Sequence, residues 1–138
     1  MSTIIKPELS KKNPYYIPKY RFYELKNFCL QYSDWKKSLN QIDGFGSSQK
    51  IIFIDKQKTK VSSVENAVLL KDALQTRIDI IEKTAELTDK ELSKWILKGV
   101  TSTVSYDYLY LNLGIPCSRD TYYRRYRMFF YILDKLRG

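Results

Sequence analysis

Apolar side chains recur at helical spacing along most of the chain. Phe22, Leu25, Phe28, Tyr32, Trp35 and Leu39 lie three or four residues apart, which predicts a helix from Lys19 to about Ile42. A break is expected near Ser33-Asp34, where Ser33 is placed to cap a second short helix. The stretch from Asp43 to Lys60 loses this rhythm. Gly44, Gly46, Ser47 and Ser48 mark a turn, and the short β-prone run Ile51-Ile52-Phe53-Ile54 leads into a polar segment. A loop with one short strand or hairpin is the expectation there. Ser62-Ser63-Val64-Glu65 then fits a capping box, in which a serine oxygen and a glutamate carboxylate satisfy reciprocal free amides. Val64, Ala67/Val68, Leu74, Ile78, Ile81 and Ala85 continue one stripe to about Leu87. A second box, Thr88-Asp89-Lys90-Glu91, opens a short helix bearing Leu92, Trp95, Ile96 and Val100, which ends near Gly99 to Ser102.

The last third reads as a helix-turn-helix. Val104 to Leu113 is a short helix whose Leu109 and Leu113, with Ile115 beyond, face the core. Gly114 suits the left-handed residue that ends a helix, Pro116 prevents continuation, and Ser118 is a good N-cap. At about 100° per residue, Tyr122, Tyr126, Phe129, Phe130, Leu133 and Leu136 of the following helix gather on one side, the core side. Thr121, Arg124, Arg127, Met128, Tyr131 and Lys135 occupy the other, with Arg125 on its flank. The predicted architecture is all-α: a compact bundle of about five helices ending in a helix-turn-helix, with a partly irregular loop near 43–61. Residues 1–18, with Lys6, Lys11, Lys12 and three prolines, are expected to be a basic, mobile arm. Residues 19–61 (first helix and loop) and 62–138 (helical bundle) are expected to form a single compact unit.

Charge sharpens the picture. The net charge of +9 is concentrated at the ends: residues 1–26 carry six basic and two acidic side chains, and residues 119–138 carry the same, leaving the 92 between at +1. Such localisation suits a polyanionic partner, although a generally basic surface is the plainer alternative. The chain has no histidine and only two cysteines, Cys29 and Cys117, read as buried thiols. No ordinary zinc site, His-dependent acid-base chemistry or Ser-His triad can be assembled from it, and no phosphate-binding loop appears. A non-enzymatic protein without cofactor or metal is expected. The N-terminus lacks the apolar segment of a secretory leader, and no apolar run reaches membrane-spanning length, so the cytoplasm is the expected compartment.

These readings converge on double-stranded DNA as partner. The candidate contacts are Ser118, Arg119, Thr121, Tyr122, Arg124, Arg125 and Arg127, with Lys6, Lys11 and Lys12 as candidate arm contacts. Arginine can engage guanine O6 and N7 in bidentate fashion or pair with phosphate, and the first turns of a groove-bound helix are where such contacts occur. Asp120 opposes phosphate unless it bonds cytosine or orients Arg124 one turn on. Twelve tyrosines raise the alternative of a stacking platform for single strands; most fall on inner faces, while Tyr122, Tyr123 and Tyr131 are open to either use. Tyr15, Tyr16 and Tyr20 are likewise open, with packing favoured over stacking.

Taken in order, these elements resemble phage late-transcription activators of the RinA and ArpU type, over roughly Glu24 to Leu136. The resemblance rests on Tyr32-x-x-Trp35-Lys36-Lys37, the Ser62-x-Val64-Glu65 helix start, the short helix Lys90 to Lys98, the scanning helix Ser105 to Leu113, and Ser118-Arg119-Asp120-Thr121-Tyr122-Tyr123-Arg124-Arg125-Tyr126-Arg127. The last segment looks like the family's recognition helix, similar to the minus-35-reading domain of bacterial sigma factors. The likeness implies a phage or prophage transcriptional regulator acting on a promoter or operator in a bacterial host, with Ser118, Arg119, Thr121, Arg124 and Arg125 reading DNA. Two further readings stand beside it: a small terminase-like packaging subunit, and an adaptor that binds RNA polymerase or another phage protein. A homodimer is a further candidate assembly.

Overall fold

A computed structural model describes residues 13–44 and 63–138 of the chain. The loop expected near 43–61, its short strand, and the candidate arm contacts Lys6, Lys11 and Lys12 lie outside the described residues, apart from the end of the second helix at residues 43–44.

The fold is all-α: six helices and no strand occur among the described residues. They are α1 (Lys19–Leu30), α2 (Tyr32–Gly44), α3 (Ser63–Thr88), α4 (Ser93–Thr101), α5 (Tyr106–Leu113) and α6 (Arg119–Arg137). The first helix of the sequence reading is thus two, and the break falls at Gln31, before Ser33. The Gln31 N–H reaches back to the Phe28 carbonyl at 3.3 Å, a tightened last turn, and Ser33 already lies inside α2. No described helix is long and apolar enough to cross a membrane.

The described residues group into two compact units. One comprises residues up to Gln31 with Ile80–Gly138, and the other comprises those of Tyr32–Asp79. The described partners of α1 come from far along the chain, since it packs on α4 and α6. Within the second unit, Trp35, Ile42, Ala67, Leu74 and Ile78 are buried, and the Arg77 guanidinium lies 5.4 Å from the Trp35 ring centroid. Val68, placed on the apolar stripe by periodicity, is exposed, as is Leu87 at its far end.

The larger unit has α1, α4 and α6 in mutual contact, with α5 packed on α4 and α6. Leu25, Cys29, Ile81, Ile96, Leu109, Phe129, Phe130 and Leu133 are completely buried in it. Phe22 meets Phe130 edge-on at 5.0 Å, and Arg21 donates from Nε to the Asp134 carboxylate at 2.6 Å, tying α1 to the last turns of α6. Arg137 lies 3.9 Å over the Phe28 ring. Both cysteines are free thiols, Cys29 buried and Cys117 half-buried; burial pushes the Cys29 thiol well above its ordinary pKa, only partly opposed by Arg137. The face of α6 that carries Tyr122, Tyr126, Phe129, Phe130 and Leu133 points inward as its periodicity requires, but Leu136, in the final turn, is 42% exposed.

Two features of this unit correct the sequence reading. Residues 13–18, expected as part of a mobile arm, are folded. The Asn13 side-chain oxygen accepts the Tyr15 N–H at 2.8 Å, the Tyr16 N–H reaches the Asn13 carbonyl, and Ile17 is buried. The Thr88–Glu91 box is also not the cap. Thr88 stays within α3 and its hydroxyl donates to the Thr84 carbonyl at 2.7 Å. Asp89, the first residue outside the helix, takes the role: its Oδ1 accepts the N–H groups of Glu91 and Leu92, both at 3.1 Å, before α4 begins.

Candidate nucleic-acid interface

The candidate interface is built on α5, the connection of residues 114–118, and α6. Ser105 caps α5 by accepting the Tyr108 N–H at 3.2 Å. At the other end Gly114 has φ +66°, the left-handed conformation in which a β-carbon is strained, and the Ile115 N–H reaches back to the Leu109 carbonyl. Ile115 is 2% exposed and plugs the space between the helices. Ser118 then caps α6, accepting the Thr121 N–H at 3.2 Å. Leu113 was expected to face the core, but its side chain is 42% exposed. It is its carbonyl that is anchored, by the Trp95 indole N–H at 2.8 Å. The connection therefore belongs to α4 as much as to α5.

Three further bonds fix the relation of α5 to α6. The Tyr106 N–H donates to the Tyr123 hydroxyl at 3.2 Å, and the Tyr106 hydroxyl donates to the Cys117 carbonyl. Arg119 donates to the Asp107 carboxylate at 2.7 Å and lies over the Tyr106 ring. Beneath them Tyr122 packs against Gly99 of α4, where only a hydrogen leaves room for the phenol. Burial, with the neighbouring Tyr126, Tyr123 and Cys117 adding to it, pushes the Tyr122 phenol far above its ordinary pKa, so this ring stays neutral.

The predicted contacts divide sharply. Tyr122 is 1% exposed and cannot reach a nucleic acid; its place in the α6 repeat is a core position. Arg125 is held by Asp89, Nε to Oδ2 at 2.9 Å, both side chains largely buried. Burial raises the Asp89 pKa, but the bonds from Arg125 and from the Leu92 and Glu91 amides outweigh it and hold the carboxyl below its ordinary value. One carboxylate thus caps the approach to α4 and clamps α6, so Arg125 serves the fold. Arg119 is oriented by Asp107, both side chains about half exposed. Ser118, Asp120 and Arg124 are exposed and Thr121 is half-buried. Among the described residues Arg124 and Arg127 have no carboxylate partner.

The outward face of α6 is not open along its whole length. Tyr15 packs on Tyr131 with ring centroids 5.6 Å apart, so the strap Asn13–Ile17 runs beside the middle of the helix. A cleft of about 250 Å³ remains, lined by Asn13, Tyr15, Asp120, Tyr123, Arg124 and Arg127. The sequence favours packing over stacking for Tyr15, as found, but it names neither Tyr131 as the partner nor Ile17 as a core residue. On α5, Tyr108, Tyr110, Leu111 and Leu113 are exposed, Leu111 by 77%.

Among the described residues no cluster of three or more His, Cys, Asp or Glu side chains could hold a metal ion. Comparison with known proteins finds no matching family model, no curated protein and no solved structure similar to this chain.

Proposed function

We propose that the protein binds double-stranded DNA through the first turns of α6 and acts as a transcriptional regulator of a phage or prophage. One observation carries this reading: a capped helix-turn-helix presents a basic helix start on which Arg124 is exposed and has no carboxylate partner among the described residues. The contacts narrow to Ser118, Arg119, Thr121, Arg124 and Arg127. Hydroxyls and phosphate-directed guanidinium groups position the helix, and Arg124 has the reach and freedom to read a base edge. Tyr122 and Arg125 support the helix from beneath and from the side.

Binding-site selection from random duplex DNA, repeated at several salt concentrations, tests the proposal. Recovery of a common site is expected, with affinity falling steeply as salt rises. Arg124→Gln should cost about 1–3 kcal/mol and relax preference at one position. Absence of any duplex binding at low salt would defeat the reading. The exposed Tyr108, Tyr110 and Leu111 of α5 favour a second reading, an adaptor for a protein such as RNA polymerase. Retention of a protein partner by a chain with no DNA affinity would select it.

A further inference from the structure

The cleft beside α6 has a lopsided chemistry. Arg124 and Arg127 lie three residues apart on one helical face and both line it. Asp120 is the one carboxylate among the lining residues and forms no ion pair with either arginine, so the lining carries one excess positive charge. Arg127 is half-buried, and its Nε is buried with no acceptor among the described residues. An Nε–H of a charged group taken out of water without an acceptor is unfavourable, and an anion relieves it. The neutral lining groups supply further donors. The Asn13 oxygen is occupied by the Tyr15 N–H, which leaves its amide hydrogens, and the Tyr123 hydroxyl accepts the Tyr106 N–H, which leaves its own hydrogen.

We propose that this cleft seats one phosphodiester of the DNA backbone, with Arg127 as its principal donor, the Asn13 amide and Tyr123 hydroxyl as secondary donors, and Arg124 at its mouth. The inference rests on the DNA-binding reading above and deepens it. A cleft of about 250 Å³ has room for a phosphate, since a water takes about 30 Å³ of liquid. A single phosphate charge balances the single excess positive charge of the lining. The site also gives the strap a purpose. Asn13 and Tyr15 form one wall, so folding of the strap onto Tyr131 completes a phosphate anchor that sets how deep the α6 start enters the groove. The shared chemistry, a tetrahedral phosphate anion, could also come from a free phosphoryl group, and the test separates the two.

The test uses the full chain and a duplex carrying its selected site. Neutral methylphosphonates replace backbone phosphates one position at a time, and the Arg127 Nε–H resonance is followed by NMR during titration with duplex and with inorganic phosphate. One methylphosphonate position should weaken binding about tenfold, the scale of a charged hydrogen bond. The same position should have no effect on Arg127→Gln, whose salt dependence should be shallower by about 0.9 in log-log slope. Asn13→Asp retains the oxygen that caps Tyr15 but adds a negative charge to the cleft, so it should fold normally and bind every duplex more weakly. Duplex binding that is untouched by Arg127→Gln and Asn13→Asp, with an unmoved Arg127 resonance, would overturn the cleft assignment and leave the DNA-binding reading standing. Saturation of that resonance by inorganic phosphate, with no duplex binding at low salt, would overturn both the backbone assignment and the DNA-binding reading. An acidic peptide that moves the resonance where phosphate and duplex do not would overturn it in favour of a protein partner.

Discussion

Gly99→Ala should destabilise the protein although it removes a glycine from the interior of a helix. On intrinsic propensity alone the change is favourable by about 0.8–1 kcal/mol. A β-carbon at position 99, however, falls inside contact distance of the Tyr122 hydroxyl oxygen and 3.1 Å from the carbon that bears it, with Leu109 Cδ1 at 3.6 Å. Tyr122 is 1% exposed and has ring neighbours at 4.9 Å (Tyr123) and 6.0 Å (Tyr106 and Tyr126), so the phenol cannot swing aside without displacing them. Overpacking of this kind costs about 1–3 kcal/mol, and a clash with a buried phenol whose ring has three aromatic neighbours belongs to the upper part of that range. The net loss should be on the order of 1–2 kcal/mol after the propensity gain. The companion change is Tyr122→Phe. Its hydroxyl is buried and has no hydrogen-bond partner among the described residues, so its removal should shift stability by less than about 1 kcal/mol. In the double variant the clashing oxygen is gone and the ring need yield only a few tenths of an ångström, so most of the stability should return. The four proteins form a double-mutant cycle read by urea denaturation under far-ultraviolet circular dichroism. Wild-type stability in Gly99→Ala, or a double variant no more stable than that single, would refute the reasoning.

Two further outcomes follow from the ion pairs of α6. Asp89 is held below the ordinary carboxylate pKa, so its contribution to stability is present above about pH 4, the unfolded value, and is lost as pH falls through the lower folded value. Asp89→Asn should therefore be less stable at neutral pH and lose less stability in acid, which urea midpoints between pH 7 and 2 would show; an unchanged acid limb would refute it. Asp107→Asn breaks an exposed pair, so its stability change should stay within about 1 kcal/mol. On the proposed DNA-binding reading, affinity for duplex should rise, because a carboxylate beside the α6 start repels phosphate and competes for Arg119. Fluorescence anisotropy at fixed salt would measure this, and weaker binding would count against a phosphate-directed Arg119.

Much of the fold was legible in residue order, because the deciding interactions are local. Gly114 and Ser118 act on amides within a few residues of themselves, so the end of α5 and the start of α6 could be read directly. The same holds for the burial of Phe129, Phe130 and Leu133, which one helical period dictates. Where two local candidates competed, only the fold chose between them. Thr88 and Asp89 both look like caps, and the helix running one residue further gave the role to Asp89.

The site was less legible because a helical wheel says which way a side chain points and nothing about what waits there. Arg124 and Arg125 are adjacent in sequence, yet one is exposed while the other meets a carboxylate 36 residues earlier. Gly99 reads as a helix terminator until Tyr122 is seen pressed against it. The strap Asn13–Ile17 lies more than a hundred residues from Arg127, and nothing in either segment names the other. Sequence alone determined an all-α chain with a capped helix-turn-helix and charge gathered at its ends. Tertiary structure decided which guanidinium groups remain available, because that depends on where distant carboxylates and rings come to rest.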